Sequence, residues 1–351
     1  MPHRGKVLDF EQLTELGSRL LIAAGTNDDR ARLVASQLAM SNMKGHDSHG
    51  VCLLPTYCEQ VVGGIIAPNE EVTMVDESDT DIFDGHFTFG QITADVATKR
   101  LISVAKNHGS HSVSFGHSHH VGRVGHYAEE AAQAGLMILI LLSTPEGKLV
   151  CHPNSRAALF GTNPICFAVT VAGRLILLDM ATAMYAEGKL RVAKARDESA
   201  PKHMVRDHRG NPTRDAHVVR REQDPGSIMP LGGTAAYKGF GLALMVDLMA
   251  AAHGFGEFAS STATKGRNCA WMYAVDVSDN EYVRGNALTS WLTRLLEAET
   301  IDGETLTLPG DPEQAAFEER SEHGVTVEDF TCQQLLKAAK QVGASITDLV
   351  G

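Results

Sequence analysis

The chain has 351 residues, of which 43% are hydrophobic and 21% charged, and its formal net charge is −12. That length exceeds one ordinary hydrophobic core and predicts two lobes. The negative balance excludes nucleic acid and anionic membrane as main partners, leaving small molecules as the class to consider.

In chain order, Met1-Pro2-His3-Arg4-Gly5-Lys6 has no apolar signal core and leads directly into a polar helix. Leu13, Leu16 and Leu20 recur at helical spacing behind an Asp9 cap, so residues 9–24 form a helix that Gly25 ends. A second helix runs over 28–43 and a third from Leu54-Pro55-Thr56-Tyr57 to Gly63-Gly64; Pro68 and the acidic stretch after it mark a lobe boundary. Short strands follow at 73–75 and 82–84, then a helix over 90–107, a strand over 111–115 and a helix over 123–134. The longest apolar run, Leu136 to Leu142, is seven residues, which suits a buried strand and is far too short to span a bilayer.

Further strands are predicted at 137–143, 165–170, 175–179 and 270–276, with an apolar helix over 238–252. Residues 198–228, broken by Pro201, Pro212 and Pro225, read as a long excursion across the surface. Helices return at 286–299, 312–321 and 326–340. The expected fold class is therefore α/β: a central mixed-sheet domain (73–284), with a helical lobe built from both chain ends (1–72 and 285–351). Six cysteines (Cys52, Cys58, Cys151, Cys166, Cys269 and Cys332) contain no CxxC pair and read as reduced thiols, which places the chain in the cytoplasm.

The central domain lacks a dinucleotide fingerprint. Its nearest match, Gly239-Phe240-Gly241-Leu242-Ala243-Leu244, has leucine at the third glycine position and follows no clear strand, so a Rossmann unit is disfavoured. There is no GxxxxGK[ST] loop.

The most informative segment is Asp47-Ser48-His49-Gly50-Val51, which closes the second helix and sets a hydroxyl beside an imidazole where the backbone turns. Imidazole exchanges protons near neutral pH, and the serine can hold one ring nitrogen and select the tautomer; the bland reading is a capping or packing turn. His117-Ser118-His119-His120, followed by Val121-Gly122-Arg123, reads as a cofactor-contacting turn, a zinc site or a structural histidine cluster. HxHH is not a specific ligand spacing, so no metal is expected.

Gly161-Thr162-Asn163-Pro164 starts a buried strand. Asp179 ends another, where it receives ribose hydroxyls or caps the following helix. Glu187-Gly188-Lys189-Leu190-Arg191 supplies two cations whose default reading is surface solvation. Tyr237-Lys238-Gly239 places a lysine and glycines before a helix, an arrangement suited to phosphate.

In this order, residues 47–57 (DSHGVCLLPTY), 120–135, 161–169 (GTNPICFAV), 178–192 (LDMATAMYAEGKLRV), 230–244 and 309–325 (PGDPEQAAFEERSEHGV) resemble the malate/L-lactate dehydrogenase family of the non-Rossmann type. That family also holds ureidoglycolate and sulfolactate dehydrogenases and Δ1-piperideine-2-carboxylate reductase. The resemblance implies a non-Rossmann NAD(P)-binding domain in the centre of the chain, NAD or NADP as cofactor, and a homodimer with the active site between lobes. It further implies His49 as acid/base with Ser48 as its support. His120 and Gly122 would contact cofactor or active site, Thr162 would lie near substrate, and Asp179, Met180 and Ala181 would run along the cofactor. Lys189 falls where some relatives place an aspartate in relay with the Ser-His pair, which makes a Ser-His-Asp relay doubtful here.

One departure bears on substrate. Relatives read DSHGVxRLP, with an arginine thought to clamp the substrate carboxylate, and this chain has Leu53 there. Each charge-assisted hydrogen bond of a guanidinium is worth roughly 1.5–3 kcal/mol, and leucine supplies none. Either another cation has taken over, with Lys44, Arg123 and Lys189 as candidates, or the substrate lacks a carboxylate at that point. Cys269-Ala270 likewise replaces a glycine-histidine pair common before the late strand. The expected activity is reduction of a small 2-oxo acid, cyclic imine or related carbonyl compound, or the reverse oxidation, with a zinc-dependent hydrolase and a catalytically idle cofactor-binding relative as rivals.

Overall fold

The computed structural model describes residues 5–145, 148–195, 197–255, 258–259, 267–301, 303 and 305–351. Its strands are β1 (Gly5–Leu8), β2 (Thr73–Asp76), β3 (Thr80–Asp84), β4 (Ser110–His119), β5 (Leu136–Ser143), β6 (Val150–Cys151), β7 (Ala158–Phe160), β8 (Ile165–Val171), β9 (Arg174–Met180), β10 (Val205–Arg206), β11 (Pro212–Thr213), β12 (Ser227–Ile228), β13 (Arg267–Asp276) and β14 (Val325–Glu328). Its helices are α1 (Phe10–Ala23), α2 (Asp28–Met43), α3 (Leu54–Val62), α4 (Gly90–His108), α5 (Gly125–Gln133), α6 (Glu187–Ala195), α7 (Ala236–His253), α8 (Glu281–Arg284), α9 (Asn286–Leu296), α10 (Asp311–His323), α11 (Asp329–Val342) and α12 (Thr347–Val350).

The largest sheet has seven strands in the order β2-β3-β4-β13-β5-β8-β9. Only β3 and β4 run parallel within it; every other neighbouring pair is antiparallel. A doubly wound parallel sheet is thereby excluded, and the fold is the mixed α/β class that the sequence implies. Strand alternation assigns its two faces. Ile138, Ile140, Leu142, Ala168, Ala270 and Met272 pack with α4 and α5 on one face. Residues of opposite parity face α7 and α9: Asp247 of α7 accepts from the Ser143 hydroxyl at 2.5 Å, and Leu292 of α9 joins Val169 and Val171 in one cluster.

The first core draws on residues 8–66, Phe89, Ile92 and 325–350, so both chain ends do meet in one helical layer. The Asp9 cap forms a reciprocal box: Gln12 N–H donates to the Asp9 carboxylate at 2.8 Å, and Asp9 N–H donates to the Gln12 side chain at 3.0 Å.

Four sequence expectations are corrected. Gly5–Leu8 is a strand where none was expected, and it pairs antiparallel with β14, so residues 326–328 are strand rather than helix. The His117-Ser118-His119 segment continues β4 rather than forming a turn. Residues 198–228 are not a bare excursion: β10, β11 and β12 join β6 and β7 in a five-stranded sheet, and Val205, Val218 and Ile228 are buried with Leu149 and Leu190. Finally, α9 lies on the central sheet rather than in the helical lobe. Periodicity shows that a segment has an apolar side but not which surface covers it.

Leu16 is fully buried in the first core. Leu16→Ala is expected to cost about 2–5 kcal/mol of unfolding free energy by urea denaturation, the range for leucine truncations that leave a cavity.

Candidate active site

A cleft of about 810 Å³ opens between the helical layer, the ends of β4 and β9, and α6. This volume is in the upper range of small-molecule sites. Ser48, His49, Leu53, His120, Gly122, Thr162, Asp179, Met180, Ala181 and Lys189 all line it. Lys238 does not; it is exposed at the start of α7.

The Ser48-His49 turn is two short 3₁₀ segments with no ladder of its own, and distant residues hold it. The Asn42 side chain donates to Asp47 at 2.7 Å and accepts from Val51 N–H at 2.8 Å. Position 50 is glycine because a Cβ there would lie 2.1 Å from the Asn42 oxygen. From α10, Arg320 grips both Asp47 oxygens at 2.7 and 3.0 Å, and Glu313 meets His46 at 3.1 Å. From α6, Gly188 presses on Ser48 so tightly that an added Cβ would come within 2.5 Å of the serine Cβ.

On this turn Ser48 Oγ lies 3.0 Å from His49 Nδ1, and the His49 and His120 rings stack with centroids 5.6 Å apart. His120 is wired in turn. Gln91 donates to the Tyr57 hydroxyl oxygen at 2.9 Å, so that hydroxyl's own proton points to His120 Nδ1, 2.7 Å away. Gly122 N–H also approaches Nδ1 at 3.3 Å. With Nδ1 accepting, the ring proton resides on Nε2.

Burial pushes the His49 imidazole down to about 3, helped by His120, His46, Arg191 and Arg123. Burial likewise lowers His120 to about 4, with Arg191 next in effect. Both rings are therefore neutral at neutral pH, which departs from an unshifted His49.

Burial raises Asp179, whose Oδ2 accepts Gly125 N–H at 2.7 Å. That carboxylate therefore caps the start of α5 across the cleft rather than the segment that follows it in sequence. Thr162 gives its carbonyl to the Thr182 hydroxyl at 3.0 Å, pinning the chain after β9 to the cleft floor. Asn268 accepts Val121 N–H at 3.0 Å and donates to Ser143 O at 3.3 Å, fixing the His120 segment against β5.

The histidines proposed as a zinc cluster take separate partners: His117 meets Asp84, His119 meets the Ile65 carbonyl, and His120 meets Tyr57. Among the described residues no group of three or more histidine, cysteine or acidic side chains gathers to hold a metal. Tyr57, Gln91, Asn268 and Arg320 were not singled out from sequence, and Arg191 was read there only as a solvated surface cation. Tyr57, Arg191 and Arg320 stood inside the quoted motifs, whereas Gln91 and Asn268 carry no local signal.

Residues 8–336 match the malate/L-lactate dehydrogenase family profile. The chain is 30% identical to hydroxycarboxylate dehydrogenase B of Escherichia coli strain K12 over 347 residues, covering 97% of this chain and 95% of that protein. Among solved structures it is similar to sulfolactate dehydrogenase from Methanocaldococcus jannaschii (25% identity, TM-score 0.83, 98% and 99% of the two chains). It is also similar to Δ1-piperideine-2-carboxylate reductase from Pseudomonas syringae pvar. tomato (25% identity, TM-score 0.81, 95% and 100%).

The two depressed histidines set a pH dependence. Unfolded, each binds a proton near pH 6.5, whereas folded each resists it until about pH 3 or 4. Their contribution is fully present above pH 6.5 and is lost as pH falls toward those folded values. The unfolding free energy of the parent is expected to fall more steeply between pH 6.5 and 5 than that of His49→Asn, by up to about 1.4 kcal/mol per pH unit. Urea titrations at several pH values read this difference; identical slopes would show an unperturbed ring.

Proposed function

This chain belongs to the malate/L-lactate dehydrogenase family, and from that membership and the cleft's geometry we propose that it is an NAD(P)-dependent oxidoreductase. The proposed reaction interconverts a small 2-hydroxy acid and its 2-oxo acid, or reduces a related cyclic imine. The observation that carries this reading is the neutral His49 imidazole, braced by Ser48 and stacked on His120, on the wall of a cleft large enough for substrate and cofactor.

The cleft's donor set fits a dinucleotide. Leu142, Pro164, Ala181, Met184 and Leu231 offer apolar surface to flat rings, while Thr162, His120 and Lys189 offer polar contacts. When bound, the nicotinamide supplies the hydride exchange. The protein's part is the proton and the alignment. A neutral His49 is ready to accept the hydroxyl proton of a 2-hydroxy acid, with Ser48 holding Nδ1 so that Nε2 is the exchanging atom. His120, carrying its proton on Nε2, offers a donor to the same reacting oxygen. For the reverse reaction His49 must first gain a proton, and an anionic substrate beside it favours that by raising the ring's affinity.

Two further parts of the reading follow. The free cysteines fit a reducing compartment, and we place the protein in the cytoplasm. We also propose a homodimer. Helix α7, within the one stretch among the described residues long and apolar enough to cross a bilayer (233–253), exposes Tyr237, Leu244, Met245 and Leu248, with Tyr273 and Phe255 also exposed. Asp247 ties its inner side to the sheet, so the exposed side awaits a partner surface, and a second copy is the occupant the family reading implies.

His49→Ala is expected to lower turnover at least about a hundredfold while NADH or NADPH binding, followed by fluorescence, persists. Turnover close to the parent's would remove His49 from the mechanism, and a parent that binds reduced nicotinamide but oxidises it with no oxo acid or imine would favour the idle relative. For the assembly, Leu248→Asp is expected to shift sedimentation velocity from dimer to monomer; an unchanged profile would place the interface elsewhere.

A further inference from the structure

Among the described residues, Arg123, Lys189, Arg191 and Lys194 are the lysines and arginines that face the cleft. Arg123 has its charge paired: its buried guanidinium bonds Glu129 through Nη2 at 2.6 Å and lies within electrostatic reach of Asp179, although Nε and Nη1 have no hydrogen-bond partner among the described residues. Lys189 adjoins Gly188 in sequence and so points about a quarter-turn away from the helix side that meets Ser48.

Arg191 occupies that side. Gly188 packs against Ser48, and a residue three positions later on the same helix lies above it on the same face. The Arg191 side chain therefore borders the Ser48-His49 turn and Leu53, which lines the same cleft while only 5% exposed. Its positive charge reaches four groups from other elements: it adds to the burial that lowers His49 and His120, and it opposes the larger effect of burial that raises Tyr57 and Cys52. Glu187, one turn back, takes the arginine's Nε at 3.1 Å. The two Nη atoms are the pair whose spacing matches a carboxylate's oxygens.

We propose that Arg191 is the substrate-anion clamp of this cleft, binding the carboxylate of a 2-oxo or 2-hydroxy acid and thereby setting its C2 oxygen toward His49. This rests on the oxidoreductase reading. The wall that carries Leu53 presents Thr56, Tyr57 and Gln60 but no cation, and would leave a carboxylate's charge uncompensated. The anion is therefore met from the opposite side, by the helix that rests on the catalytic turn. Substrate selectivity then resides in α6, and acids whose carboxylate is adjacent to the reacting carbon are preferred over simple ketones.

The test uses the full chain as parent, Arg191→Met, which keeps the aliphatic stem, and Arg191→Lys, which keeps the charge without the fork. Three quantities are read: kcat/KM for the parent's best 2-oxo acid, the Kd of NADH and NADPH by fluorescence, and the Kd of oxamate by calorimetry with reduced nicotinamide present. For Arg191→Met, kcat/KM is expected to fall about 10- to 100-fold or more, mostly through KM, and oxamate to weaken by a similar factor. Nicotinamide affinity should stay within about twofold, with Arg191→Lys intermediate. Adding Leu53→Arg to the Arg191→Met background should restore much of the loss by supplying a cation from the other wall.

Unchanged kcat/KM and oxamate affinity in Arg191→Met overturn the proposal. Weakened nicotinamide binding with unchanged oxamate binding assigns the arginine to a cofactor phosphate and also overturns it. If the parent turns over no oxo acid, the oxidoreductase reading fails by itself. In that case Arg191-dependent oxamate binding still upholds the clamp, and absence of oxamate binding to the parent overturns it.

Discussion

The site depends on how a short irregular turn is held. Residues 47–53 have no ladder to fix them, yet the proton exchange proposed for His49 requires the ring to keep its place to within a fraction of an ångström. Three contacts hold it, one local and two from remote sequence: the Asn42 amide near the end of α2, Arg320 on Asp47 from α10, and the Gly188 backbone of α6 against Ser48. Each restrains a different side of the turn, so its position is over-determined. The cost is that two positions admit only glycine: residue 50, where Asn42 would collide with a Cβ, and residue 188, where Ser48 would.

The same enclosure that positions His49 also sets its charge. Burial between the helical layer and α6 disfavours charge on both imidazoles, Arg191 disfavours it further on both, and Arg123 does so on His49. The result is a neutral pair with distinct roles. The His120 tautomer is dictated by the chain Gln91, Tyr57, His120, in which each hydrogen bond leaves its neighbour one choice. His49, by contrast, has among the described residues a hydrogen bond from Ser48 at Nδ1, which leaves Nε2 facing the change of protonation proposed for it. A cluster of histidines that suggests metal ligation in one dimension is, in three, a set of rings divided among a carboxylate, a backbone carbonyl and a phenol.

Much of the fold was readable because apolar periodicity and caps are local. The Asp9 box, the α2 span, the apolar run of β5 and the α4 helix follow from residues that lie within a turn or two of one another. What failed was long-range. Gly5–Leu8 and Val325–Glu328 are too short and too mixed to announce strands, and each is a strand only because the other pairs with it. Residues 198–228 looked like loop because their strands are two residues long and broken by prolines; the backbone of β6 and β7 makes them a sheet. The placement of α9 was missed because its apolar stripe fits the helical lobe and the β8 surface equally well in sequence.

For the site, the amino-acid sequence alone offered the candidate groups: a Ser-His pair at a helix end, a histidine before a glycine turn, and an apolar residue where the family resemblance leads one to expect a cation. These are carried by residue identity and spacing within single segments. Only the tertiary structure decided that the two imidazoles stack, that they are neutral, that Asp179 is spent on an α5 amide, and that Arg191 lines the same cleft as His49. Burial and charge proximity are properties of elements brought together from opposite ends of the chain, and no window along it contains them.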